Sequence, residues 1–196
     1  MMNFDLSDKT GRTLAASLSC FKKYGFKRTS MEDIAKAANM SRPALYLLFK
    51  NKTDIFRCLT HEFHAKTLQA AEDALSGNAP VRERIAASVA ARMTPLYALA
   101  HDSAHGPELF DVNQSTSGDI NAKADNDFLS KLTESLQSSL DAKEITGGPD
   151  NMAARELAQL ILASAVGLKT FAFSAQDYET LLVKSVGTLF QGMMPK

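Results

Sequence analysis

The sequence predicts an all-α protein. Three observations lead there: apolar residues recur at helical spacing along almost the whole chain, no segment alternates apolar and polar residues long enough to make a strand, and glycine and proline interrupt the pattern at helix-length intervals. About nine helices are expected in two parts, a three-helix helix-turn-helix domain over 1–52 and a larger helical domain over 53–196. With 196 residues, 45% of them apolar, the chain can bury a real core.

The first helix is expected from about Asp8 to Tyr24, with Leu14, Leu18 and Phe21 on one stripe and Gly25 as its stop. Two short helices follow at 31–38 and 42–49, then a long one from Thr53 to Leu75. Gly77-Asn78-Ala79-Pro80 breaks the chain, Pro80 suits the first turn of a helix running to about Leu99, and Pro95 should kink it. Beyond Gly106-Pro107 a short segment, Glu108-Leu109-Phe110, should lead into a polar loop from Asn113 to Gly118. Helices over 119–143, 151–173 and 176–191 complete the chain, with Asp150 placed as an N-cap after Gly147-Gly148-Pro149.

Zero net charge hides an asymmetry. Residues 1–58 carry 11 Lys/Arg against 5 Asp/Glu, whereas residues 59–196 carry 11 against 17. The basic end is the one suited to phosphate. Cys20 and Cys58 sit inside helical patterns without CxxC or Cys/His spacing, which suggests reduced thiols. No run approaches the roughly 18 apolar residues of a membrane span, and the N-terminus lacks a basic-then-apolar leader pattern, so a cytoplasmic protein without a membrane partner is expected.

Between Thr29 and Phe49 the capping signals are dense. Ser30 is followed three residues later by Asp33, a variant of the Ser-x-x-Glu box, and Ser41 precedes Arg42-Pro43. Asn39-Met40 between them is too short for anything but a tight turn. On the second helix Leu45 and Phe49 share one line with Leu48 beside it, all three suited to a core. Pro43, Leu47 and Lys50 point the opposite way, with Arg42 and Tyr46 at one edge and Ala44 at the other. In a DNA major groove that outer face has partners: Ala44 and Leu47 can pack on a thymine methyl, Arg42 can read guanine, and Tyr46 can donate to phosphate. The helix starts at Thr29-Ser30 and Lys52-Thr53 also offer backbone N–H groups to phosphates.

The run Phe21-x-x-Tyr24-Gly25-Phe26-x-x-Thr29-Ser30-Met31-x-Asp33-Ile34-Ala35-x-x-Ala38-x-Met40-Ser41-Arg42-x-x-Leu45-Tyr46-x-x-Phe49-x-x-Lys52 resembles the N-terminal domain of TetR-type one-component repressors. The resemblance covers about a quarter of the chain and implies operator contacts at Thr29, Arg42, Ala44, Tyr46 and Lys52. It departs at Leu47-Leu48, where the family often has an aromatic followed by His or Tyr. Specificity is then expected to lean on methyl contacts and Arg42, at a thymine-rich half-site with a guanine near the helix start.

The resemblance further implies that the remaining helices bind an effector and form a homodimer on a pseudo-palindromic operator in double-stranded DNA. The apolar last two helices offer Leu160, Ser164, Gly167, Leu182, Ser185, Val186 and Leu189 as the interface. Met93, Leu96, Tyr97, Phe110, Phe128, Leu132, Leu168, Phe171 and Phe173 supply bulky side chains for an apolar or aromatic small molecule, with His61, His64 and His101 as polar groups to orient it. The spacings His61/His64 and His101/His105 suit a helical metal pair, but no cysteine accompanies them and Gly106-Pro107 interrupts the second, so no metal or other cofactor is expected. No GxSxG, GxGxxG or P-loop is present and no catalytic residue is assigned. The expected function is therefore a transcriptional repressor released by a small effector. The alternative is a helix-turn-helix regulator without an effector, controlled by a protein partner.

Overall fold

The structure is a computed structural model that describes residues 4–101, 103–148 and 150–193. Among the described residues there are nine helices and no strand: α1 (Lys9–Tyr24), α2 (Met31–Ala37), α3 (Arg42–Leu48), α4 (Lys52–Leu75), α5 (Val81–His101), α6 (Gly106–Thr116), α7 (Gly118–Asp141), α8 (Ala154–Leu168) and α9 (Ala175–Gln191). They form two compact units. The first holds the described residues up to 65 together with those of 99–122; the second holds 66–98 and those beyond 122. The first unit thus takes in more of the chain than a domain ending at residue 52.

Local chemistry accounts for the first three helices. Asp8 caps α1 by accepting from the N–H groups of Thr10 (3.0 Å) and Gly11 (3.2 Å). Gly25 ends it at φ 82°, and a Cβ there would fall 2.3 Å from Glu108 Oε2. The core beneath is Leu14, Phe21, Ile34, Leu45, Phe49, Ile55, Leu59 and Leu109, with Leu18 half-buried at its margin. Phe21, Phe26 and Phe56 close it as a triangle of rings with centroids 5.3–5.8 Å apart. Each fully buried side chain of this size contributes about 1.5–3 kcal/mol.

Helix α6 replaces the short segment and polar loop expected over 108–118. Pro107 lies in its first turn, where no donor is lost, and the hydroxyls of Ser115 and Thr116 turn back onto the carbonyls of Asp111 (2.9 Å) and Val112 (2.7 Å). Its Asn113 is a half-buried linker rather than a loop residue. Asn113 Nδ2 donates to Thr60 Oγ1 (3.1 Å), Asn121 Nδ2 donates to Asn113 Oδ1 (2.6 Å), and His64 Nε2 bonds Asn121 Oδ1 (2.9 Å). Close by in the chain, Arg57 grips Asp119 with two bonds of 2.7 Å and also donates to the Thr116 carbonyl. Those bonds hold the Asp119 carboxyl at about 2, well below its usual value.

In the second unit, Ile85, Val89, Leu132, Leu136, Leu157, Ile161, Tyr178, Leu182, Val186 and Phe190 make the core. Tyr178 stacks on Tyr97 at 4.6 Å and donates its hydroxyl to the Ala165 carbonyl (2.9 Å), and burial pushes its hydroxyl pKa up. Asp150 does not cap α8, which begins four residues later. There Ala153 holds the cap position and its N–H is taken by Glu156 (2.8 Å). The same helix stops at Leu168, not near residue 173, because Lys169, Thr170 and Phe171 each turn their N–H onto a carbonyl three residues back.

Candidate nucleic-acid interface

The Ser30/Asp33 box closes in both directions. The Asp33 N–H donates to Ser30 Oγ (3.2 Å) and the Ser30 N–H to Asp33 Oδ2 (2.9 Å), so α2 starts at a fixed point. Asn39 makes the turn at φ 53°, a conformation asparagine tolerates. Ser41 then caps α3 by accepting from the Ala44 N–H (3.3 Å), with Pro43 in the first turn. Two helices of seven residues are thereby set at a defined angle over Ile34 and Leu45, both fully buried.

Helix α3 presents its opposite face to solvent. Leu47 is 87% exposed, and Arg42, Pro43, Tyr46 and Lys50 are exposed with it, while Ala44 is half-buried at the edge. The Arg42 guanidinium lies 5.6 Å from the Tyr46 ring centroid, so the two side chains form one cationic and aromatic edge. Leu48 is also exposed, unlike Leu45 and Phe49, because the two-turn helix packs on its Leu45–Phe49 line alone.

Thr29 and Lys52 occupy other places than a surface contact would need. Thr29 is buried as a whole residue, 1% exposed, and its hydroxyl donates to the Gly25 carbonyl (2.7 Å). The Lys52 ammonium donates to the carbonyls of Phe26 (2.7 Å), Lys27 (3.1 Å) and Thr29 (3.0 Å) and sits 4.6 Å from the Phe26 ring. It ties the start of α4 to the loop before α2. The Ser30 hydroxyl is engaged by Asp33 (2.6 Å), although the residue itself is exposed.

Residues 14–59 match the bacterial regulatory proteins of the tetR family. Over 78 residues the chain is 30% identical to an uncharacterized HTH-type transcriptional regulator of Bacillus subtilis, YhgD. The N-terminal part of the chain is thus similar to the DNA-binding domain of the TetR family. That alignment spans 40% of this chain and 41% of YhgD, so the aligned part is less than half of the relative. Two solved structures extend the likeness of fold beyond it. A TetR/AcrR-family regulator of Thermobifida fusca superposes with a TM-score of 0.73 at 16% identity, covering 91% of this chain and 96% of its own. SmeT, the repressor of the Stenotrophomonas maltophilia multidrug efflux pump SmeDEF, gives a TM-score of 0.68 at 16% identity over 98% and 93%. The all-α architecture, with its helix-turn-helix followed by a helical second part, is that of TetR-family chains, which are DNA-binding transcription factors and not enzymes. No helix among the described residues is long and apolar enough to cross a membrane.

The residues expected to line an effector cavity are scattered. Tyr97, Phe128 and Leu132 are packed in the core of the second unit with Met93 and Leu168 against it, and the Tyr97 hydroxyl donates to the Ala172 carbonyl (2.8 Å). Leu96 is half-buried. Phe171 is 69% exposed, and Phe173 is likewise exposed, because α8 ends before reaching them. His61, His64, His101 and Phe110 belong to the first unit, where His61, His101 and Phe110 are exposed and His64 is buried on Asn121. The second unit also holds an open groove of about 720 Å³ between α5 and α9, lined by Ala86, Ala90, Pro95, Val183 and Gly187 among others. None of the expected ligand residues lines it.

Of the expected interface residues, Leu160 and Gly167 face outward, and Ser164, Ser185 and Leu189 are half-buried, with Ser164 and Ser185 sharing a 2.6 Å hydroxyl contact. Leu182, only 1% exposed, and Val186 point into their own core instead, since α9 packs that line under Tyr178 and Phe190. The outward positions beside them are Val166 on α8 and Val183 on α9. Two groups escaped the sequence reading. Glu108 accepts the Lys27 N–H (2.8 Å), and Arg92 lies buried in α5. The second had a visible signal: Arg92 falls on the apolar line of Ile85 and Val89.

Proposed function

We propose that this protein is a transcriptional repressor that binds a pseudo-palindromic operator as a homodimer and lets go when a small apolar or aromatic effector binds its C-terminal helices. The observation that carries the DNA-binding part is the outer face of α3, where Leu47, Tyr46 and Arg42 stand in solvent on a helix fixed by caps at both ends of the turn before it. DNA contact is assigned to Ser30, Arg42, Pro43, Ala44, Tyr46, Leu47 and Lys50. Lys52 positions the loop before α2, and residues 1–52 carry all of the reading surface. For dimerisation the support is the exposed apolar face of α8 and α9 around Leu160, Gly167, Val166 and Val183. Effector control is supported by the solved SmeT–triclosan complex, a neighbour with a TM-score of 0.68 at 16% identity. Such a protein acts in the cytoplasm, where the DNA is.

A thermal-shift screen of apolar and aromatic compounds, neutral and acidic alike, followed by a gel shift on DNA upstream of its own gene, tests the whole reading. Compounds that raise the melting temperature should dissociate the complex. A complex that no stabilising compound weakens contradicts effector control, and the protein-partner alternative then takes its place.

A further inference from the structure

Arg92 is 2% exposed, in the middle of α5, and three elements of the second unit surround it. Its Nη1–H donates to Thr67 Oγ1 of α4 (3.1 Å) and its Nη2–H to Asp125 Oδ1 of α7 (2.9 Å). The guanidinium lies 5.9 Å from the Phe128 ring centroid. Its Nε–H is buried with no hydrogen-bond partner among the described residues. Lys169, capping the end of α8, is a second cation of this neighbourhood and makes no ion pair among the described residues. Burial lowers the pKa of both cations; Asp125 opposes that for each, and Arg92 depresses Lys169 further.

Charge and geometry both leave a gap there. The buried Arg92 has a single carboxylate partner, Asp125, which is itself 75% exposed at its side chain, and the half-buried Lys169 adds a second positive charge. Buried charge without a counter-charge is costly, so an anion drawn into the junction recovers energy that Asp125 alone does not. The Nε and Nη2 atoms form one edge of the guanidinium, the edge that holds a carboxylate through two parallel bonds. Asp125 uses only the Nη2 half of it.

We infer that this junction of α4, α5, α7 and the end of α8 receives the carboxylate of an organic-acid effector, held two-pronged on the Nε–Nη2 edge of Arg92 with the Lys169 ammonium beside it. Asp125 is the resident occupant that the ligand displaces; being exposed, its carboxylate returns to water at little cost. The apolar body of the acid lies toward Phe128 and Leu132, which line the same side of α7. The inference rests on the reading that the C-terminal helices take a small effector, and it names the chemical class.

The probes are 4-phenylbutyrate and its neutral amide, titrated calorimetrically into the full chain, wild type and variants. Because removing a buried arginine threatens folding, the variants are Lys169→Gln and Asp125→Asn, each checked by its melting curve. The carboxylate should bind wild type at least about tenfold more tightly than the amide, and Lys169→Gln should remove about a factor of ten of that preference. Asp125→Asn, by vacating the edge, should tighten carboxylate binding and leave the amide unchanged. Equal binding of acid and amide, insensitive to both variants, overturns anion recognition while effector control stands. Binding of neither probe up to millimolar concentration overturns the anion site as well, and effector control is then decided by the thermal-shift screen alone.

Discussion

Replacing Leu47 with alanine separates recognition from stability. The side chain is 87% exposed on α3 and belongs to neither core cluster, so its truncation should change folding stability by no more than about 0.5 kcal/mol. In the major groove the same side chain loses its water against a thymine methyl. Truncation removes three carbons, each worth about 0.8 kcal/mol when fully buried, and partial burial in a groove brings the loss to about 1–2 kcal/mol per half-site. A two-fold dimer counts it twice, which weakens operator binding by about thirtyfold to several-hundredfold. Fluorescence anisotropy with a labelled duplex, alongside a melting curve of the variant, reads both quantities. Uracil in place of thymine opposite Leu47 removes the 5-methyl group and should cost wild type affinity but cost Leu47→Ala little. Unchanged affinity for Leu47→Ala at unchanged melting temperature would refute methyl contact and remove Leu47 from the reading surface.

Two further outcomes test the first unit. Gly25→Ala should destabilise it by about 1–3 kcal/mol through the φ of 82° alone, and its new Cβ, 2.3 Å from Glu108 Oε2, should also break the Glu108 bond to the Lys27 N–H. Adding Glu108→Ala to Gly25→Ala should relieve the collision but not the backbone strain, so a double variant as stable as wild type in denaturant melts contradicts the strain. Asp119→Asn should be less stable than wild type at neutral pH. A carboxyl whose folded pKa is depressed gives stability that is present above its unfolded value near 3.8 and lost as pH falls toward about 2, so the two stability curves should converge across that window. Curves that stay parallel from neutral pH to pH 2 would show that the Arg57–Asp119 contact does not stabilise the fold.

Much of the DNA-binding end was legible because its signals are local. Ser30 with Asp33, Ser41 with Pro43, and Asn39 in its left-handed turn each act within four residues, and all three appear as the sequence implied. Helix α6 was hidden for the opposite reason. Its polar residues read as a loop, yet Asn113 is satisfied by Thr60, 53 positions away, and by Asn121. Phe171 and Phe173 looked like cavity residues by type alone, but they lie past the last turn of α8, where exposure is decided by a helix end that periodicity places poorly. Leu182 and Val186 share the apolar character of a dimer face and of a core, and only the packing of α9 tells which they serve. Arg92 was readable as a charge on a buried stripe, but its partners Thr67 and Asp125 come from two other helices.

The most direct test of the central claim, that the outer face of α3 reads operator DNA, is a titration of wild type and an Arg42→Ala/Tyr46→Ala variant. Each is measured against the duplex upstream of its gene and against a scrambled duplex of the same composition, at two salt concentrations. Wild type should prefer the upstream duplex, with affinity for both falling steeply as salt rises, and the variant should lose that preference while its melting temperature holds. Equal affinity of wild type for the two duplexes, or a preference the variant retains in full, would contradict the claim.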